Sequence, residues 1–189
     1  MHERVLRMGV QAPTTPLEGA DAGRVTSIVV EHFDVLWRFV HRLGLADGDV
    51  DDAVQEAIVV LARKLDQVEA GSERAFLLST AFRVASDLRR RARRRREVDD
   101  SALVEIESSE RDPESWLAQK RLRRLLQQVL EQLPFELRAV FVLYELEELT
   151  MAEIATALGL PPGTVASRLR RARETFERLA VAALKEQAP

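Results

Sequence analysis

Two small all-α domains joined by an acidic linker are the fold class this sequence predicts, and three observations carry it. Apolar residues recur every three or four positions through successive segments, the spacing of helices with one buried face. Thr150-Met151-Ala152-Glu153 has the form of a capping box, Gly159 sits where a left-handed residue ends a helix, and Leu160-Pro161-Pro162 turns the chain into a further helix. Charge is segregated: Arg74 to Arg96 holds nine Arg against one Asp, whereas Glu97 to Glu114 holds eight acids against one Arg.

Taken in order, residues 1–24 mix Gly, Pro and Thr without a sustained period and read as a mobile N-terminal tail. Val29, Phe33, Leu36, Val40 and Leu43, flanked by Trp37, predict a helix from about Val25 to Leu43, closed by Gly44. A second helix, about Asp49 to Leu65, buries Val54, Ile58, Leu61 and Leu65 and turns Asp52, Gln55, Glu56, Val59 and Arg63 outward; that outward stripe is either solvated or a docking surface. Residues 66–73 read as a loop. A long helix follows from Glu73, with Leu77, Ala81, Val84 and Leu88 as its buried stripe, and runs into arginines 89–96. Like charges four apart destabilise a helix by a few tenths of a kcal/mol each, so this end either frays in solvent or meets a polyanion.

Residues 97–113 are acidic, end at Pro113 and read as the linker. Roughly 16 residues at about 3.3 Å each reach on the order of 50 Å, enough to let the two domains sit well apart. Ala118, Leu122, Leu125, Val129 and Leu133 predict a helix from Glu114, which Pro134 ends. Leu137, Val140, Phe141 and Tyr144 continue on a third helix of the second domain. In the helix opened by the capping box, Ala152, Ala155 and Leu158 with Ile154 form the apolar stripe. The last helix, from about Gly163 to Leu179, buries Val165, Leu169, Ala172, Phe176 and Leu179, and Ala182-Ala183-Leu184 carries it to a frayed end. Its other faces carry Thr164, Ser167, Arg168 and Arg171 on one stripe, with Arg170 and Arg173 beside them. Two helices joined by a tight Gly-containing turn, the second basic outside, is the arrangement that places a helix in the DNA major groove. An ordinary helical hairpin with a solvated basic face has the same spacing.

The run from Leu133 to Glu174, above all Ile154-Ala155, Leu158-Gly159, Gly163-Thr164-Val165, Ser167-Arg168-Leu169 and Arg171-Ala172-Arg173, resembles the minus-35-binding region 4 of bacterial sigma factors of the extracytoplasmic-function (ECF) group. Asp52-Ala53-Val54-Gln55-Glu56 resembles the Asp-x-x-Gln-Glu signature of sigma region 2.2, and Phe76 to Arg90 resembles regions 2.3 and 2.4. The resemblance implies a region 2-like domain over 25–96, the acidic linker over 97–113, and a region 4-like helix-turn-helix domain over 114–189. It implies that Asp52, Gln55, Glu56 and Val59 dock on the beta-prime coiled coil of core RNA polymerase, with the beta flap a further contact. Arg83, Asp87, Arg90, Arg91 and Arg94 would face the minus-10 element and its phosphates, and loop 66–73 part of a pocket for a flipped base. Thr164, Ser167, Arg168, Arg170 and Arg171 would read the minus-35 element. Promoter DNA and an anti-sigma factor are the other partners implied. Phe76 stands where the family usually has Trp, and Arg83 where it usually has Asn.

The net charge of −3 hides the basic blocks. With no cysteine there is neither disulfide nor thiolate site, and the three histidines, His2, His32 and His41, form no ligand cluster of recognisable spacing. No Gly-rich phosphate loop, nucleophile elbow or clustered acid–base set occurs, so no enzyme, cofactor or metal is expected. No apolar run is long enough to cross a bilayer and no signal-peptide pattern opens the chain, which points to a cytoplasmic protein without membrane insertion. The alternative is a helix-turn-helix regulator that binds operators independently of polymerase.

Overall fold

In the computed structural model, which describes residues 19–98 and 114–186, the apolar stripes become seven α-helices in two modules. The first module packs α1 (Gly19–Arg42), α2 (Asp47–Arg63) and α3 (Glu73–Val98) on one another, with a short 3-10 turn at Leu65–Gln67. The second holds α4 (Glu114–Gln132), α5 (Phe135–Phe141), α6 (Met151–Leu158) and α7 (Pro162–Glu186), with a π-helical turn at Val142–Leu146 continuing α5. No strand occurs among the described residues. Residues 1–18 of the expected tail and 99–113 of the expected linker lie outside the described residues.

Two boundaries differ from expectation for simple reasons. α1 begins at Gly19, inside the segment read as tail. Ala20 and Ala22 favour a helix, Asp21 complements the dipole of its first turn, and Arg24 reaches across to the Val68 carbonyl and Glu73 at 3.5 Å each. α3 carries its arginines through Glu97 to Val98, past the expected start of the linker. Glu73 in its first turn and cations towards its last both suit the helix dipole.

Inside the first module, Phe33, Leu36, Phe39, Val40 and Leu43 of α1 meet Val50, Val54 and Leu61 of α2 and Leu77, Leu78 and Ala81 of α3. Inside the second, Val129, Leu130 and Leu133 of α4 lie with Val140, Ile154, Val165, Leu169 and Ala172. These two sets merge into one continuous core, so the modules touch rather than hang apart. Phe82 of α3 stacks on Phe135 of α5 with centroids 5.5 Å apart, and the Arg89 guanidinium lies 4.8 Å over the same ring.

The contact is fastened by two buried polar clusters. Glu147, its side chain 1% exposed, accepts from Arg38 Nη2 at 2.8 Å and Nε at 3.3 Å, and from Arg42. Arg74 Nη2 donates to the Glu147 carbonyl at 3.0 Å. Arg138, 4% exposed, donates to the carbonyls of Leu43 at the end of α1 and of Glu131 and Leu133 at the end of α4. One guanidinium thereby satisfies the C-terminal carbonyls of helices in both modules. Gly44, at φ +75°, leaves it room, since a Cβ there would overlap the Arg138 guanidinium. Burial, with repulsion from Arg89, lowers the Arg138 pKa to about 10 and leaves it charged at neutral pH.

Candidate nucleic-acid interface

The helix-turn-helix is assembled by local chemistry. The Glu153 amide donates to Thr150 Oγ1 at 3.3 Å, while the Thr150 amide and hydroxyl each donate to Glu153 Oε2 at 2.7 Å, closing the capping box. Gly159, at φ 62° and ψ 39°, takes the left-handed conformation, and Leu160 N–H returns to the Ala155 carbonyl at 3.0 Å. Pro162 then opens α7. Ile154 and Ala157 anchor α6, whereas Ala152, expected on the buried stripe, is exposed, since about 100° per residue puts it on the opposite side of the helix from Ile154.

Hydrogen bonds from the Thr150 hydroxyl and then its amide hold the Glu153 carboxyl below the usual carboxylate range. The capping contribution is therefore present above the ordinary carboxylate pKa and is lost as pH falls through the lower folded value. Thr150→Ala should cost about 1 kcal/mol of stability at neutral pH, measured by urea unfolding. The difference from the parent should shrink in acid.

α7 buries Val165, Leu169 and Ala172 and stacks Phe176 on Phe141 at 4.5 Å. That seats its opposite face outward, with Ser167, Arg170 and Arg171 exposed and Thr164 at the edge. The five residues expected to read DNA are not equivalent. Arg168 is half-buried and donates to Glu136 at 3.2 Å, and Arg170 pairs with Glu174 at 3.2 Å one turn on. Arg171 is exposed and makes no ion pair among the described residues. Arg173, grouped beside them by spacing, donates through Nε to Glu145 at 2.6 Å and lies 5.1 Å over the Tyr144 ring, which fastens α7 to the π-helical turn. The Glu145 hydrogen bond raises its pKa.

On the first module, Asp52, Gln55, Glu56 and Val59 of α2 line one shallow groove together with Val84, Asp87, Leu88 and Arg91 of α3. Residues expected to dock on polymerase and residues expected at the minus-10 element therefore share a rim. Val84 and Leu88, expected in the core, are half-buried walls of this groove. Arg83, Arg90, Arg91 and Arg94 are exposed along α3, with Arg90 paired to Asp87. The side chains of Arg95 and Arg96 lie outside the described residues. Arg89 is committed to Phe135 and the contact between modules.

Leu122 of α4 is 65% exposed, against the expectation that it joins the buried stripe, which among the described residues begins at Leu125. Val181 and Leu184 of α7 are exposed as well. No group of His, Asp or Glu suited to a metal occurs among the described residues, and none of their helices is long and apolar enough to cross a membrane. Glu147, Arg38, Arg42, Arg74 and Arg138 were missed by sequence reasoning. The available signal was a charged residue inside each apolar run, Leu137-Arg138-Ala139-Val140-Phe141 and Leu143-Tyr144-Glu145-Leu146-Glu147.

Residues 28–95 match the family Sigma-70 region 2 and residues 123–176 match Sigma-70, region 4. The ECF RNA polymerase sigma factor SigE of Mycolicibacterium smegmatis is 32% identical over 148 residues, which are 78% of this chain and 58% of that relative's length. The ECF RNA polymerase sigma-E factor of Escherichia coli K12 is 34% identical over 139 residues, 69% of this chain and 73% of the relative. Among solved structures, CnrH in complex with the cytosolic domain of CnrY aligns with a TM-score of 0.62 at 26% identity, covering 84% of this chain and 88% of that one. The sigma factor RpoE in complex with the anti-sigma factor NepR, from Bartonella quintana, also gives 0.62 at 26% identity, with 86% and 98% covered.

Proposed function

This chain belongs to the ECF group of the bacterial sigma-70 family, and from that premise we propose that it is a promoter-specificity subunit, without a catalytic step of its own, that binds core RNA polymerase and directs transcription initiation. Its place of work is then the cytoplasm. The observation that carries the reading is the outward face of α7, where Thr164, Ser167, Arg170 and Arg171 stand opposite the buried Val165, Leu169 and Ala172. A helix held by one face and basic on the other enters a major groove, where Arg bonds guanine through two acceptors and Ser or Thr takes base or phosphate.

In this reading α7 reads the minus-35 element as duplex, and Arg83, Arg90, Arg91 and Arg94 of α3 meet minus-10 phosphates. A single helix-turn-helix binds weakly on its own, so polymerase supplies the second attachment. That attachment is the groove of Asp52, Gln55, Glu56 and Val59, whose apolar floor of Val59, Val84 and Leu88 suits a helical partner. The apolar exposure of Leu122, Val181 and Leu184 supplies a second contact, for the beta flap. By analogy with the sigma factor RpoE, solved in complex with the anti-sigma factor NepR, an anti-sigma factor is the expected partner.

Joint substitution Gln55→Ala with Glu56→Ala should weaken association with core polymerase at least tenfold, about 1.4 kcal/mol, and leave the helical circular-dichroism signal intact. Co-purification with core polymerase measures it. Undiminished recovery of the variant would remove the groove from the docking assignment.

A further inference from the structure

Glu147 and its surroundings are absorbed neither by DNA reading nor by polymerase docking. Its carboxylate is 1% exposed, yet all the side chains that bond it come from the other module. Arg38 holds it as a two-pronged fork through Nε and Nη2, Arg42 reaches the same Oε1, and Arg74 bonds its carbonyl. Two guanidiniums thus bond one carboxylate and a third its carbonyl, with Arg38 still 44% exposed and Asp34 its acidic neighbour. The Arg74 Nε is buried without a hydrogen-bond partner. Such a fork of arginines matches phosphate as well as carboxylate, and a surplus of cations favours the more highly charged anion.

Glu153 and Leu149 of the second module form one side of a cleft whose other walls are Ile28, Glu31, His32, Gly71, Glu73 and Arg74. Glu148, at φ +56°, holds a left-handed conformation that side chains other than Gly rarely take, between the buried Glu147 and the buried Leu149. Two modules joined in this way cannot also occupy promoter elements centred roughly 25 base pairs, about 85 Å, apart at 3.4 Å per base pair.

We propose that Glu147 stands in for a nucleic-acid phosphate: in the free chain it fills an anion site made by Arg38, Arg42 and Arg74 and latches the modules together, and promoter DNA takes over the same arginines when the modules part. The proposal rests on the sigma-factor reading for the identity of the anion, and it adds a binding site on α1 and the start of α3. The face of α3 that lines the docking groove is not the face that carries Phe82 and Arg89 onto Phe135, so polymerase can dock before the latch opens.

The test uses the full chain without polymerase, a fluorescein-labelled 30-nucleotide single strand of mixed sequence, and small-angle scattering. Glu147→Gln should enlarge the radius of gyration and tighten binding to the strand. The slope of log affinity against log salt should stay that of the parent, since both complexes make the same arginine–phosphate contacts, at about 0.7 of slope each. Arg38→Gln with Arg42→Gln should enlarge the protein as well but flatten that slope by about 1.4, two lost contacts at about 0.7 each. In the unsubstituted chain, saturating strand should itself enlarge the protein, a readout that holds even should the variants fold poorly. An unchanged radius in Glu147→Gln, an unchanged salt slope in Arg38→Gln with Arg42→Gln, or no expansion of the parent with DNA overturns the proposal. Polymerase-directed transcription by the parent, run in parallel, reports separately on the reading beneath it.

Discussion

Arg171→Ala should lower transcription from the cognate promoter by about 5- to 150-fold, the equivalent of the 1–3 kcal/mol that one bidentate Arg–guanine contact contributes. Of the four arginines from 168 to 173, it alone is both exposed and without an ion pair among the described residues. Arg168 is tied to Glu136, Arg170 to Glu174 and Arg173 to Glu145. Arg170 and Glu174 are both well exposed, so their pair adds little stability and leaves Arg170 available to a phosphate. Arg168 must give up Glu136 before it can touch DNA, which makes it a weaker reader than its place in the stripe implies. Run-off transcription over a set of promoters that differ by single base pairs measures the effect. Arg171→Ala should relax discrimination at one position; an even loss at all of them would assign the residue to the backbone instead.

Arg138→Met should destabilise the folded chain by about 3–5 kcal/mol, the largest stability change foreseen for any residue outside the apolar core. Each buried carbonyl left without a donor costs about 1–3 kcal/mol, and Arg138 serves three. Against a total stability of 5–15 kcal/mol for a typical domain, that is a large share. Methionine fills much of the volume, so the loss reports on the hydrogen bonds rather than on a cavity. Arg138→Lys should recover only part of it, since one ammonium lacks the planar fork that reaches helix ends on two sides. Urea unfolding gives the number, and a change below about 1 kcal/mol for Arg138→Met would mean that water replaces the guanidinium without difficulty.

Much of this was legible because the determinants are local. Thr150 and Glu153, Gly159 and Pro162 specify a helix, a turn and another helix with no reference to the rest of the chain. The stripe of Val165, Leu169 and Ala172 then fixes which face of α7 is free. The same holds for Asp52, Gln55, Glu56 and Val59, which share a face by helical period alone. What sequence could not supply was the contact between modules. Glu147 and Arg38 are 109 positions apart and Arg138 and Leu43 are 95, and no periodicity links them. Periodicity also placed Leu122, Val84 and Leu88 in a core, because it identifies an apolar face without saying whether a neighbour covers it. Charge segregation suggested separate acidic and basic surfaces, but Asp87 and Arg91 of α3 line the same groove as Glu56.

Core RNA polymerase reconstituted with the full chain and a library of the host's promoter fragments, followed by mapping of transcript 5′ ends, tests the central claim most directly. Starts should appear at defined positions downstream of a shared pair of elements, absent with core polymerase alone and sharply reduced by Arg171→Ala. Transcripts no more numerous or better placed than with core alone, while the free protein binds an operator tightly without polymerase, would contradict it.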